Sequence, residues 1–198
     1  MASSILTPEN QIQRLNTILS KANVLHKLHA EELTVAPKPN SWSVVEIIAH
    51  LNIAYELYAD RLDDLLQKLP NHANGYVSFK SRRWQRFVID CTRPKGEQRK
   101  WKMKTLKKFE PLLEIKSIDG EGIDEIFQKF KTLHLHLKNV ILESRSKEVA
   151  NMKIDSAIGP IVKFYLPECF EFLLAHLERH MVQIEHILKH NKLKELSK

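Results

Sequence analysis

Pro39-Asn40-Ser41-Trp42-Ser43-Val44-Val45-Glu46-Ile47-Ile48-Ala49-His50-Leu51 carries the clearest helix start in the chain. Ser43-Val44-Val45-Glu46 has the form of a capping box: the Ser43 hydroxyl accepts from the Glu46 N–H, and the Glu46 carboxylate reaches back to the Ser43 N–H. Trp42 ahead of the cap and Ile47 at the fourth helical position are the pairing of a hydrophobic staple. No breaker follows until Pro70-Asn71, so the spacing predicts a helix from Ser43 to about Leu69. His50 sits near the start of this helix among Ile47, Ile48, Leu51 and Ile53.

Three further helices follow from the same reasoning. Upstream, Thr7 with Pro8 at the first helical position opens a helix carrying Ile12, Leu15, Leu19, Ala22 and Leu25, extended to Leu33 and stopped by Pro37-Lys38-Pro39-Asn40. Downstream, a helix begins near Asp119 with a wide apolar stripe from Ile123 to Ile141 and fades at Ser144–Glu148. The last runs from Pro167 to about His190, with Phe170, Leu173, Leu174, Leu177, Met181 and Ile184 inward. Residues 70–118 form a long connection with little periodicity, in which a short strand or helix is expected around Tyr76–Asp90. Four helices of roughly 22–27 residues, each about 33–40 Å long, describe an all-α four-helix bundle with a long crossover between helices 2 and 3. The expectation is a single domain over 1–198.

Composition narrows the function classes. The 198 residues are 43% hydrophobic and 28% charged, with 5 Gly and 8 Pro, which excludes a disordered chain and disfavours a turn-rich β-sandwich. No apolar run approaches the ~18 residues that span a bilayer, and the first residues lack the pattern of a signal peptide. Two cysteines, Cys91 and Cys169, are too few for a disulfide framework, so a reducing cytoplasm is expected. Cys169 reads as a small buried apolar residue.

The net charge of +7 is unevenly spread. Lys80 to Lys108 holds twelve basic residues against Asp90 and Glu97, with Trp84, Phe87 and Trp101 interleaved. Such a segment suits a solvated connector pinned by its aromatics, a basic wall beside a site for an acidic small molecule, or a nucleic-acid surface. The connector is the favoured reading and nucleic acid the least.

Ten histidines are many for this length. His176-Leu177-Glu178-Arg179-His180 places two imidazoles one turn apart on one helix face, where both can bind one metal. It is not a zinc-protease helix, because Leu177 stands where that motif needs a glutamate. A third ligand must come from elsewhere, and His50 is the best candidate, with Glu46 one turn before it as a partner for its other ring nitrogen. His186 and His190 read as solvated residues facing the helix dipole. His134 and His136, two apart, do not share a metal easily, and His26, His29 and His72 read as surface residues.

The segments 39–51 and His176-Leu177-Glu178-Arg179-His180-Met181-Val182-Gln183-Ile184, with Lys104–Pro111 between them, resemble the DinB-like (bacillithiol-transferase-like) metalloenzyme superfamily, in order and over nearly the whole chain. The first matches its Trp-Ser, Glu, His pattern, and the second its His-x-x-x-His followed by Gln and Ile. The resemblance implies an up-down-down-up four-helix bundle, often a homodimer. It implies one divalent metal on three histidines, which map onto His50, His176 and His180. It also implies chemistry with a low-molecular-weight thiol on a small-molecule substrate. Leu177 departs from relatives that carry an acidic residue there.

Three neutral imidazoles leave a coordination position open, as catalytic sites do. All-His ligation suits Zn or Ni, with Fe or Mn as alternatives. A metal there can turn a thiol into a thiolate for S-transfer, or activate water for hydrolysis. Arg82, Arg83 and Arg86 are the candidates to bind the carboxylates of a thiol cofactor. The competing readings are a metal-free binding or stress-response protein on the same fold, and a nucleic-acid binder using residues 80–108. A homodimer without membrane attachment completes the expectation.

Overall fold

Capping chemistry sets where the helices begin in the computed structural model, which describes residues 5–72, 78–99, 105–159 and 161–196. After a two-residue strand, β1 (Ile5–Leu6), helix α1 (Pro8–Leu25) starts where the Thr7 hydroxyl accepts from the Asn10 N–H at 3.3 Å. The extension of this helix to Leu33 is corrected: the chain breaks after Leu25 and restarts as α2 (Ala30–Thr34). Glu32 there accepts from the His29 N–H, which gives the second segment its own start. Leu33 still reaches the core, 1% exposed, by way of the separate turn.

Helix α3 (Val44–Lys68) opens on the expected box. Ser43 Oγ accepts from the Glu46 N–H, and Glu46 accepts from both the Ser43 N–H and hydroxyl at 2.8 Å. The crossover then holds β2 (Phe79–Lys80), α4 (Arg83–Thr92) and a 3₁₀ turn at Lys107–Phe109. β1 and β2 pair antiparallel, Ile5 opposite Lys80. Tyr76, Trp101 and Lys104 lie outside the described residues. Helix α5 (Gly120–Glu143) begins where Asp119 accepts from the Gly122 N–H at 2.9 Å. A small antiparallel pair, β3 (Ile154–Asp155) and β4 (Lys163–Phe164), leads into α6 (Leu166–Glu195). The long helices have 18, 25, 24 and 30 residues, so the matched lengths expected from periodicity are corrected at both ends of the chain.

The mostly helical body is a ring in which α3 packs on α5 and α6, and α1 packs on the same two. Side-chain pairs give the directions. Asn52–Ile126, Glu56–Lys129 and Asp63–His136 advance together, so α3 and α5 run the same way. Gln11–Pro167, Arg14–Glu171 and Lys21–Glu185 do the same for α1 and α6. Glu9–Arg145 and His26–Asp124 run oppositely, so α1 and α5 are antiparallel. His26, expected at the surface, is partly exposed and partnered, since it also stacks on Phe127 at 4.8 Å. Tyr55, Tyr58, Phe130, Phe170 and Leu62 fill the centre of the ring. Side chains of this size contribute about 1.5–3 kcal/mol each when fully buried. Cys169 is fully buried, and that burial pushes its thiol pKa up.

The basic crossover is tied down rather than free. Arg82 holds Glu168 at 2.6 Å, and Arg93 pairs with Glu171, which also binds Arg14. Helix α4 packs on α6 and turns Trp84 and Phe87 outward, 56% and 59% exposed and stacked on each other at 5.7 Å. Among the described residues no helix is long and apolar enough to cross a membrane.

Candidate metal centre

His50 lies in the second turn of α3, where the capped start fixes its height, and His176 and His180 lie one turn apart on α6. The antiparallel contact of these helices brings the three rings together. His50 Nε2 is 3.3 Å from His176 Nε2, and His180 Nε2 is 3.1 Å from the same atom. One ligand atom from each of the three lies within 4.8 Å of the other two.

The tautomer of His50 follows from its partner. Its Nδ1 is 2.7 Å from the Phe109 carbonyl, which can only accept, so the proton is on Nδ1 and the Nε2 lone pair faces His176. The Phe109 carbonyl takes the place expected of Glu46, whose carboxylate is engaged by Ser43. Trp42 at 5.0 Å and the edge of Phe109 flank the His50 ring.

Burial keeps all three imidazoles neutral. Desolvation lowers the pKa of His50. It lowers His176 to about 3, helped by His50 and Arg179. It lowers His180 well below the usual value, helped by His176 and His50. Neutral imidazoles present lone pairs at neutral pH, which is the state that binds metal.

The geometry fits a cation. Two Nε2 lone pairs 3.1–3.3 Å apart repel unless a proton or a cation lies between them. A tetrahedral zinc with bonds of 2.0–2.1 Å separates its nitrogen ligands by about 3.3 Å. His180 Nδ1 is buried without a hydrogen-bond partner. The three His could hold a metal ion, and no protein carboxylate is needed to complete the set.

The imidazoles open on a cavity of about 890 Å³. Its walls combine Trp42, Phe109, Phe172 and Leu173 with Lys38, Arg99, Arg179 and Gln183. Arg99 donates to the Gln183 side-chain oxygen at 2.6 Å. Burial lowers the Arg99 and Arg179 pKa values, and Arg99 lowers Arg179 further, yet both guanidiniums stay charged at neutral pH.

Some candidate residues lie elsewhere. Arg82 is held by Glu168 and the Lys163 carbonyl, and neither it nor Arg83 nor Arg86 lines the cavity. His134 is buried against Phe130, whose carbonyl accepts from its Nδ1. His136 lies between the Tyr55 hydroxyl and Asp63. Tyr58 and Gln183 face the cavity, and so does His186, which sequence spacing assigned to the solvated end of the helix. Leu177 is buried in the core. Arg179 was visible between the paired histidines but carried no motif; Arg99 was one of twelve basic residues; the Phe109 carbonyl has no signal in residue type.

The DinB superfamily model matches residues 20–184. No curated protein and no solved structure matches the chain. With most of its length matched and the three histidines inside the match, the chain belongs to the DinB superfamily.

Proposed function

We propose that this DinB-superfamily chain is a divalent-metal-dependent enzyme in which His50, His176 and His180 hold the metal and a low-molecular-weight thiol is transferred to a small-molecule substrate. The convergence of the three Nε2 atoms in the wall of a large cavity carries the proposal. Zn or Ni suits three neutral imidazoles, with Fe or Mn as alternatives. We read the ring of long helices as the family's up-down-down-up bundle in a single domain, a reading supported by the ascending α3–α5 and α1–α6 pairs.

A metal in this site supplies a Lewis-acidic centre that favours the thiolate form of an approaching thiol. The chain itself orients the site. The Phe109 carbonyl fixes the His50 ring, α6 fixes the spacing of the other two, and Trp42 and Phe109 shield one side from water. Among the described residues that line the cavity there is no Asp or Glu. A thiol, with a free pKa of about 8.5, ionises on a metal with less help than water needs, and on that chemistry we favour thiol transfer over hydrolysis.

Elemental analysis of protein purified without a metal-binding tag tests the ligand set. One equivalent of transition metal in the wild type and almost none in His176→Ala is the expected result. A wild type that carries no transition metal and takes up none of Zn, Ni, Fe or Mn would refute the proposal. A screen of thiols against electrophilic acceptors then tests the reaction.

A further inference from the structure

We infer that Arg99 and Arg179 form an oxyanion subsite beside the three histidines, so that the substrate, or the thiol, is a small anion with a partly apolar body. The inference deepens the reading of this site as a metal-dependent enzyme and rests on the cavity having that use. Its warrant is the charge of the cavity wall. Lys38, Arg99 and Arg179 line it, and no described lining residue is acidic.

The acidic residues of α6 on either side of Arg179, from Glu168 to Glu185, are committed elsewhere. Helix α6 carries Glu168, Glu171, Glu178 and Glu185, and each is engaged on another face of the helix. Glu168 holds Arg82, Glu171 holds Arg14 and Arg93, Glu178 holds Arg14, and Glu185 holds Lys21. None of these four carboxylates lines the cavity. Gln183, which binds Arg99, lies one helical turn beyond Arg179 on α6, so the two arginines address the same part of the cavity.

The chemistry of the pair is specific. Guanidinium groups match carboxylate and phosphate oxygens through two parallel N–H donors. Arg99 is fixed by Gln183, which also lines the cavity, so its fork is held in place ahead of the ligand. Trp42, Phe109, Phe172 and Leu173 offer the apolar body of the ligand a dry wall.

Isothermal titration with 4-phenylbutyrate, its amide 4-phenylbutyramide and phenyl phosphate tests the inference. Both metal-free and zinc-loaded protein are used, because an acid that binds only through the metal would lose its advantage in the metal-free form. In both forms at least one of the two anions should bind about tenfold or more tightly than the amide. Preference for the phosphate or the carboxylate identifies the oxyanion. Arg99→Gln, a substitution at an exposed side chain, should remove most of that preference while zinc stoichiometry stays at the wild-type value. Arg179→Gln should do the same, with circular dichroism confirming the fold.

Equal binding of anion and amide, anion preference only with zinc present, no binding by either anion, or full anion preference in folded Arg99→Gln would each overturn the subsite. A wild type that takes up none of Zn, Ni, Fe or Mn would instead refute the metal reading, and the metal-free titrations would still decide the subsite.

Discussion

His134 illustrates how one side chain turns burial into pH dependence. It is 1% exposed, packs on Phe130 at 4.0 Å between ring centres, and has its pKa lowered by desolvation to about 4. Above pH 6.5 the imidazole is neutral in folded and unfolded chains alike. Below that, the unfolded chain takes up a proton that the folded protein refuses until about pH 4, so stability falls through this window and levels off beneath it. The loss from this group alone is on the order of 1 kcal/mol per pH unit. Urea unfolding of metal-free protein at pH 7 and pH 5 should show a shallower decline for His134→Phe than for the wild type. Parallel declines would show that this histidine is not held neutral. At this scale the site was largely legible. His176 and His180 announced themselves by spacing, and His50 by its place after a strong cap. The Phe109 carbonyl was not legible, because every residue has one and only the path of the crossover decides which reaches His50.

Helix boundaries divide by the kind of signal that marks them. The starts at Thr7, Ser43 and Asp119 each rest on one side chain accepting one backbone N–H, and each was readable. The break after Leu25 was not, because no Gly or Pro marks it and Leu28 and Leu33 keep an apolar spacing across it. Helix α4 was legible only as some short element, since ten residues give fewer than three turns of pattern. Ser43→Ala should cost about 1 kcal/mol in urea unfolding by removing the hydroxyl half of the box. A larger effect is expected at Glu171, whose carboxylate joins α1 and α4 to α6 through Arg14 and Arg93. Burial pushes its pKa up, but the two guanidiniums more than reverse this and hold it below the usual range. Glu171→Gln leaves two cations partly buried and short of their partner, and should destabilise by about 3 kcal/mol. A change under 1 kcal/mol would show that α4 is held by the Arg82–Glu168 pair and its apolar contacts without help from Glu171.

At the scale of the whole molecule, the three histidines join two helices that meet only through tertiary packing. A metal bound at 100 times its dissociation constant stabilises the fold by about 2.7 kcal/mol, which for a chain of this length raises the melting temperature by roughly 5–10 °C. Calorimetry with and without zinc should show that shift in the wild type and none in His176→Ala. An up-down-down-up order is an expectation of the family resemblance rather than of periodicity, since apolar spacing says which face is buried but not which helix it meets. The ring also has a consequence in time. Helix α1 packs chiefly on α5 and α6, and His50 and His176 are 126 residues apart in the chain. On the ribosome, the first long helix must wait for the last before its apolar face is covered. The nascent chain has no complete set of imidazoles to offer a metal until most of it has been synthesised. Zinc present during translation should therefore leave a ribosome-tethered chain ending at residue 165 as open to protease as in its absence, and protect only chains in which α6 has emerged.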